Sequence, residues 1–309
     1  VIAFPTTPDT VLPAGASWRA GGTDLTERRR LNLTAGAVYD LRDLPGLDAI
    51  EERPDGGLLV GARCSVQDVA DHPRIQKGWP GLAAAFAGLA TPQLRRRATV
   101  GGSLLQDARC PYFRSPEPDC LKKGGHTCSA RRGEAAFHSV IDLGSCIAPH
   151  PSTPFLALLA FDGVVHLAGG AEVPAAAALG DGANPRTTHS LPPGALVTGF
   201  SLPPPRPGER SAWVRLAHRA RAEWPLAEAV VRLTLDGDRL GDVVLAVGGV
   251  ANRPLRFDEV AAKLRGRTLV EAEAVVAEVE KEAGSIPQSA WRAPLIPRVL
   301  LDALALGAA

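Results

Sequence analysis

From Pro111 to Gly144 the chain is dense in Gly, Pro, Cys and charged residues. No apolar period of 3.6 or of 2 persists through it. A stretch this long without regular structure is uncommon in a compact domain unless something holds it. Of the five cysteines, Cys110, Cys120, Cys128 and Cys146 lie in or beside the stretch, and Cys64 stands alone. The chain must therefore fold around a long irregular segment, and a metal centre bound by the four cysteines would hold it.

The spacing C-x9-C-x7-C-x17-C lacks the C-x2-C knuckles of zinc ribbons. Four thiolates in an irregular, Gly-rich loop suit an iron–sulfur cluster, because soft sulfur ligands hold iron well. Zinc, a disulfide framework and unligated thiols stay open on the residues alone. His126, His138 and His150 interleave with the cysteines and keep a mixed Cys/His zinc site open, although each reads first as a loop or packing residue. Cys64, among apolar and small residues, reads as a buried inert thiol.

At 309 residues, two domains are expected. A net charge of +1 argues against a nucleic-acid binder working by bulk charge. The longest uncharged stretches are broken by prolines, so no membrane span is expected. No basic-then-apolar segment opens the chain, which favours the cytoplasm and leaves the periplasm open to a chain exported with a partner subunit.

Strands are expected at Leu33–Leu41, Leu58–Ala62 and Gly163–Gly169. A capping box at Ser65 and Asp68 predicts a helix start. Pro80 opens a helix that Pro92 stops, and Pro154–Phe161 is a short apolar helix. After Pro203–Pro207 three strands follow, two of them joined through Asp236-Gly237-Asp238 as a hairpin. Amphipathic helices are expected over Glu271–Ala283 and Leu295–Leu306. The stretch Ala168–Pro185 reads as a low-complexity linker or lobe edge. Arg95–Arg97 and Lys122–Lys123 read as solvated charges or partner contacts, and Trp224 as a packing residue.

Two Gly-Gly loops carry the remaining signal. Glycine lets backbone approach a phosphate where a Cβ would block it. Gly21-Gly22-Thr23 and Gly101-Gly102-Ser103, the latter after Thr99, each offer free N–H groups and a hydroxyl, so the two loops could converge on one pyrophosphate. Neither is the G-x-G-x-x-G fingerprint, and each alone is also compatible with an ordinary tight turn.

Together, RAGGTDL (Arg19–Leu25), ATVGGSL (Ala98–Leu104) and the cysteine segment from Leu105 to Thr153 resemble the FAD-binding subunits of molybdenum hydroxylases, the xanthine dehydrogenase family. The cysteine segment is similar to the subgroup that carries an extra 4Fe–4S cluster, as in bacterial aldehyde oxidoreductase. A 4-hydroxybenzoyl-CoA reductase-like subunit or another member of the family is the alternative. A stand-alone flavin oxidoreductase and a zinc-binding scaffold remain as rivals outside that reading.

The resemblance implies an α+β fold of the vanillyl-alcohol-oxidase / p-cresol-methylhydroxylase type. It places an FAD-binding domain at 1–203, with subdomains at about 1–57 and 58–203 and the iron–sulfur loop at 107–147. A C-terminal α+β domain of the carbon monoxide dehydrogenase flavoprotein type follows at 204–309. It further implies that Ser17, Arg19, Ala20, Gly21, Gly22, Thr23, Asp24 and Leu25 bind the pyrophosphate. Thr99, Gly101, Gly102, Ser103 and Gln106 form the second phosphate-side loop. His150, Ser152 and Thr153 lie near the flavin, Val197 packs on it, and Arg215 stands near the isoalloxazine. Cys110, Cys120, Cys128 and Cys146 match the cluster ligands.

The implied partners are a large subunit with the molybdenum cofactor, a small subunit with 2Fe–2S clusters, and an external electron acceptor. Electrons would pass from the 2Fe–2S clusters to FAD and on to that acceptor. No residue of this chain is implied as an acid or base on the organic substrate. Thr153, Ser103 and Arg215 stand where the family usually has Asp, Asn and Lys. Threonine supplies no carboxylate, and arginine keeps the charge but changes its shape.

Overall fold

The computed structural model describes residues 1–220 and 222–309. Among the described residues twelve strands form three sheets. The first is parallel: β1 (Ile2–Ala3) and β2 (Ser17–Arg19) flank β3 (Val38–Asp40). The second is antiparallel, in the order β4 (Ile50–Glu52), β5 (Leu58–Gly61), β8 (Val197–Leu202), β6 (Val164–Leu167), β7 (Glu172–Pro174). The third, also antiparallel, runs β12 (Leu255–Arg256), β11 (Arg239–Gly248), β10 (Ala227–Asp236), β9 (Arg210–Leu216). Because β4 pairs with β5, the second sheet begins before residue 57.

Local chemistry accounts for several elements. Ser65 and Asp68 exchange hydrogen bonds as a capping box and start the helix Val66–Asp71. Pro80 sits at the first turn of the helix Pro80–Ala87. That helix ends at Gly88, ahead of Pro92, and Pro92 opens the short helix Pro92–Arg95 instead of stopping one. Ala90, at φ +43°, breaks the helical run before Pro92, and Gly88 must be glycine because a Cβ there would run into the Trp213 ring of β9. Gly237, at φ +62°, makes the hairpin turn between Asp236 and Arg239. The supposed linker holds β7 and the helix Ala175–Leu179. The expected helix near Glu271 is α-helical over Leu269–Val276 and continues as 3₁₀ over Ala277–Glu282.

β10 is covered on both faces. Ala229, Val231 and Leu233 join the core beneath the C-terminal helix Leu295–Ala308. On the other face, Val230 joins the core built on the helices Pro80–Ala87 and Thr153–Ala160. A strand buried on both sides reads as a nearly unbroken apolar run, which matches AEAVVRLTL. Its two charged exceptions, Glu228 and Arg232, are buried and ion-paired, to Arg215 and to Asp162 and Glu209. Among the described residues no helix is long and apolar enough to cross a membrane.

The Gly88–Trp213 contact joins the two cores. Gly88→Ala is expected to lower stability by about 1–3 kcal/mol through overpacking. Adding Trp213→Leu should recover part of that loss. A double-mutant cycle of thermal unfolding checks it, and simple additivity of the two changes would count against the contact.

Candidate functional site

The first Gly-Gly loop follows β2. Gly21 lies against the backbone of Arg97, where a Cβ would meet the Arg97 carbonyl oxygen, and Arg97 Nε donates to the Gly21 carbonyl at 3.1 Å. Residues distant in sequence are thus pressed together. Arg97 is a fastener of this loop, and Arg95 ties its own segment to Gln67 and to the Leu89 and Ala90 carbonyls; neither is merely solvated. Gly22 takes φ +74°, which favours glycine. Among the described residues none accepts from the backbone N–H groups of Gly21, Gly22 or Thr23.

These groups open onto a cleft of about 360 Å³. Ser17, Arg19, Ala20, Gly21, Gly22, Thr23, Asp24, Leu25, Thr99, Gly101, Gly102, Gln106 and Val197 all line it. Its far wall is Arg186–His189 and Leu191–Leu196 with Leu12 and Ala16, which the sequence reading missed because that stretch has no period and no motif. Nδ1 of His189 is buried there without a partner. The charge of Arg19 is committed to Asp40. Burial pulls the Asp40 carboxyl up, but hydrogen bonds from Arg42 and Arg19 together outweigh it and hold the group below its ordinary value.

The second Gly-Gly segment is not a free loop. Gly101 and Gly102 lie in the helix Val100–Leu104, with the Thr99 hydroxyl as its cap. The N–H groups are taken: Val100 by the Cys64 carbonyl, Gly101 by that of Ala62, and Gly102 by the Thr99 hydroxyl. Only the first loop therefore offers open backbone donors. Ser103 lines an adjoining cavity of about 220 Å³, which shares Thr23, Asp24, Gly102 and Gln106 with the cleft and includes Arg215. The Gln106 amide is engaged with the Ser103 and Pro151 carbonyls and with Arg109.

His150, Ser152 and Thr153 do not line the cleft; they support it from behind. Ser152 caps the helix Thr153–Ala160 and donates to the Ser103 carbonyl at 2.7 Å. His150 accepts from the Ser152 N–H and contacts the Thr188 carbonyl at 3.0 Å. Burial pushes its pKa down to about 3, so it is neutral near pH 7. Thr153 donates to Glu228 at 2.8 Å and accepts from Arg215 at 2.7 Å. Arg215 pairs with Glu228 at 2.9 Å, and both side chains are buried. A carboxylate thus stands beside Thr153 after all, supplied by β10. The sequence reading missed Glu228 because it sits in an apolar strand far from residue 153.

Asp24 ties the loop to the cysteine segment. It accepts from Arg114 at 2.7 Å and pairs with Arg109 at 3.0 Å, the two arginines flanking Cys110. Cys110, Cys120 and Cys146 share one buried cluster, and Cys120 bridges backbone with Cys128. All five cysteines are unpaired. Burial pushes the Cys110 thiol up to about 11 and raises Cys146 as well. Nε2 of His138 lies 3.2 Å from Cys110 Sγ. Cys64 is buried, its thiol likewise pushed up to about 11 by burial. Among the described residues no three His, Cys, Asp or Glu side chains are gathered to hold a single metal ion. The segment also has protein fasteners: Arg131 grips Asp142, Ser289 bonds the Ser139 carbonyl, and Val140 and Ile141 enter the C-terminal core.

Open N–H groups on the first Gly-Gly loop, a buried imidazole nitrogen without a partner and a cleft continued by a side cavity that Arg215 lines fit a long phosphate-bearing cofactor. Residues 14–205 match the family model described as the FAD binding domain in molybdopterin dehydrogenase, and residues 212–295 that of the CO dehydrogenase flavoprotein C-terminal domain. The chain belongs to this FAD-binding family. It is 35% identical to the aldehyde oxidoreductase FAD-binding subunit PaoB of Escherichia coli (strain K12), over 81% of this chain and 79% of that one. Solved carbon monoxide dehydrogenases share the fold. That of Hydrogenophaga pseudoflava superposes with TM-score 0.76 at 19% identity, over 99% of this chain and 96% of that one. That of Oligotropha carboxidovorans gives the same score at 21% identity, with the same coverage. The α+β architecture expected from the resemblance is therefore the observed one, and the chain is an oxidoreductase subunit that binds FAD.

Two outcomes follow for this FAD-binding chain. Gly21→Ala forces the loop off Arg97 and is expected to yield folded protein with little FAD, read by flavin released on denaturation. Full flavin content would show that the contact does not shape the site. Glu228→Leu leaves Arg215 buried without its counter-charge, which should cost about 3–5 kcal/mol in denaturant unfolding.

Proposed function

We propose that this chain is the FAD-binding electron-transfer subunit of a molybdenum-containing aldehyde oxidoreductase, and that its four clustered cysteines hold a 4Fe–4S cluster. The observation that carries the reading is the convergence of Cys110, Cys120 and Cys146 in one buried cluster, with Cys128 bridged to Cys120, on a segment clamped to the flavin loop through Asp24. The similarity to an aldehyde oxidoreductase FAD subunit supports the substrate class. Its partners are a large molybdenum-cofactor subunit, a small 2Fe–2S subunit and an external electron acceptor.

When bound, FAD supplies the redox chemistry; the chain supplies binding, orientation and electrostatics. The Gly21, Gly22 and Thr23 N–H groups hold the pyrophosphate. Arg215, fixed by Glu228 and Thr153, presents positive charge to the side cavity and favours negative charge on a ring placed there. Ser152 and Gln106 fix the backbone on which that cavity is built. Cluster ligation braces the segment from Cys110 to Cys146.

Anaerobic purification with a visible spectrum and FAD and iron assays tests this. About one FAD and four iron atoms per chain are expected. Cys120→Ser should lose the iron and keep the FAD. Flavin without iron in the parent protein overturns the cluster.

A further inference from the structure

A separate cavity of about 630 Å³ lies between the cysteine segment and the third sheet, within the usual range for small-molecule sites. Its buried wall includes Arg292, 1% exposed. The guanidinium donates to the carbonyls of Leu226, His138 and Gly249, and Nε also serves Leu226. Of the five N–H donors an arginine carries, one on Nη1 is left over. Among the described residues no carboxylate pairs with this guanidinium, whereas the nearly buried side chains of Arg215 and Arg232 each have one. Burial alone pulls its pKa down to about 10, so the charge persists at neutral pH. An uncompensated buried cation is costly, and an anion in the cavity would offset it. Beside it, Nδ1 of the buried His138 also lacks a partner.

The mouth has a different character. Phe137 and Trp224 line the cavity and are 59% and 49% exposed. Arg109 stacks over Trp224 at 4.8 Å, and His218 meets Phe137 edge-on at 6.3 Å. The rim carboxylates do not cancel the deep charge: Glu223 is paired with Arg219, and Glu134 is exposed. Aromatic faces at the mouth and an unpaired cation in the wall call for a flat ring bearing an acidic group.

We propose that this cavity binds a planar aromatic anion, its acidic group directed to Arg292 and its ring held between Phe137 and Trp224. The site is separate from the flavin cleft. It shares Arg109, Glu223 and Trp224 with the side cavity, so the bound ring lies across the Trp224 indole from it. The inference does not rest on the cysteines holding iron.

Isothermal titration of the full chain, purified with its cofactors, tests this with 2-naphthoate. The comparators are the uncharged 2-naphthamide and the non-planar cyclohexanecarboxylate. One naphthoate per chain is expected, bound at least about tenfold tighter than either comparator. Arg292→Met should erase the preference for the acid over the amide. Phe137→Ala, at an exposed position, should weaken naphthoate about fivefold or more whether or not the Arg292 variant folds. No saturable binding, equal binding of acid and amide, or an unchanged affinity in Phe137→Ala overturns the proposal. So does binding that vanishes in the assembled complex, which would assign the cavity to a partner subunit's surface.

Discussion

The contact between Gly21 and the backbone of Arg97 is the constraint from which the flavin site follows. It lets a loop after the first sheet touch the segment leading into the helix Val100–Leu104, with no side chain between them. Because that approach uses the carbonyl of Gly21 and not the loop's N–H groups, the donors stay open toward the cleft. The helix on the other side has its own donors satisfied by Ala62, Cys64 and Thr99. The two glycine pairs therefore do different work. The first pair exposes backbone to the cleft. In the second, Gly101 packs against Ala62, whose Cβ would lie 3.0 Å from an added methyl.

Charge organises the same region in two tiers. At the surface side, Asp24 and Glu27 collect Arg109 and Arg114, which fixes where the cysteine segment begins relative to the flavin loop. Deeper, Glu228 collects Arg215, Thr153 and Trp213. The deeper set is buried, so its geometry matters more: a charge there cannot fall back on water if a partner moves. Arginine suits the position, since one guanidinium reaches Glu228, Thr153 and the Gly88 carbonyl at once. A lysine has no such fork, so Arg215, Thr153 and Glu228 read as one coordinated set.

Legibility in the sequence tracked how local the cause was. The capping box at Ser65, the Gly237 turn and the helix start at Pro80 depend on residues within a few positions, and all three formed as read, although the helix ends before Pro92. The first loop's lining was legible because its motif is contiguous. Two features were not. The helix carrying Gly101 and Gly102 looks like a turn in sequence, since paired glycines disfavour helix, and only the Ala62 and Cys64 carbonyls that receive its first N–H groups explain it. Likewise, Glu228 looked like a stray charge in a core strand, and its purpose appears only when β9 brings Arg215 opposite it, at register Glu228–Arg215.

The cysteine segment shows how an irregular stretch can be ordered by more than one device. Its ends are tied by Arg114 and by Val140 and Ile141, and its middle by the Arg131–Asp142 pair. Those fasteners leave the thiols of Cys110, Cys120 and Cys146 in a small apolar cluster with Phe113, Ala108 and Ala148, which alanines would fill as well. Burial opposes thiolate formation there, so a ligand that deprotonates the sulfurs must contribute enough bonding to overcome it. In the proposed cluster, the His138 ring beside Cys110 would be a polar neighbour for the sulfur charge. Placement of the segment thus rests on the protein's own contacts, and the proposed cluster would have only the thiols left to order.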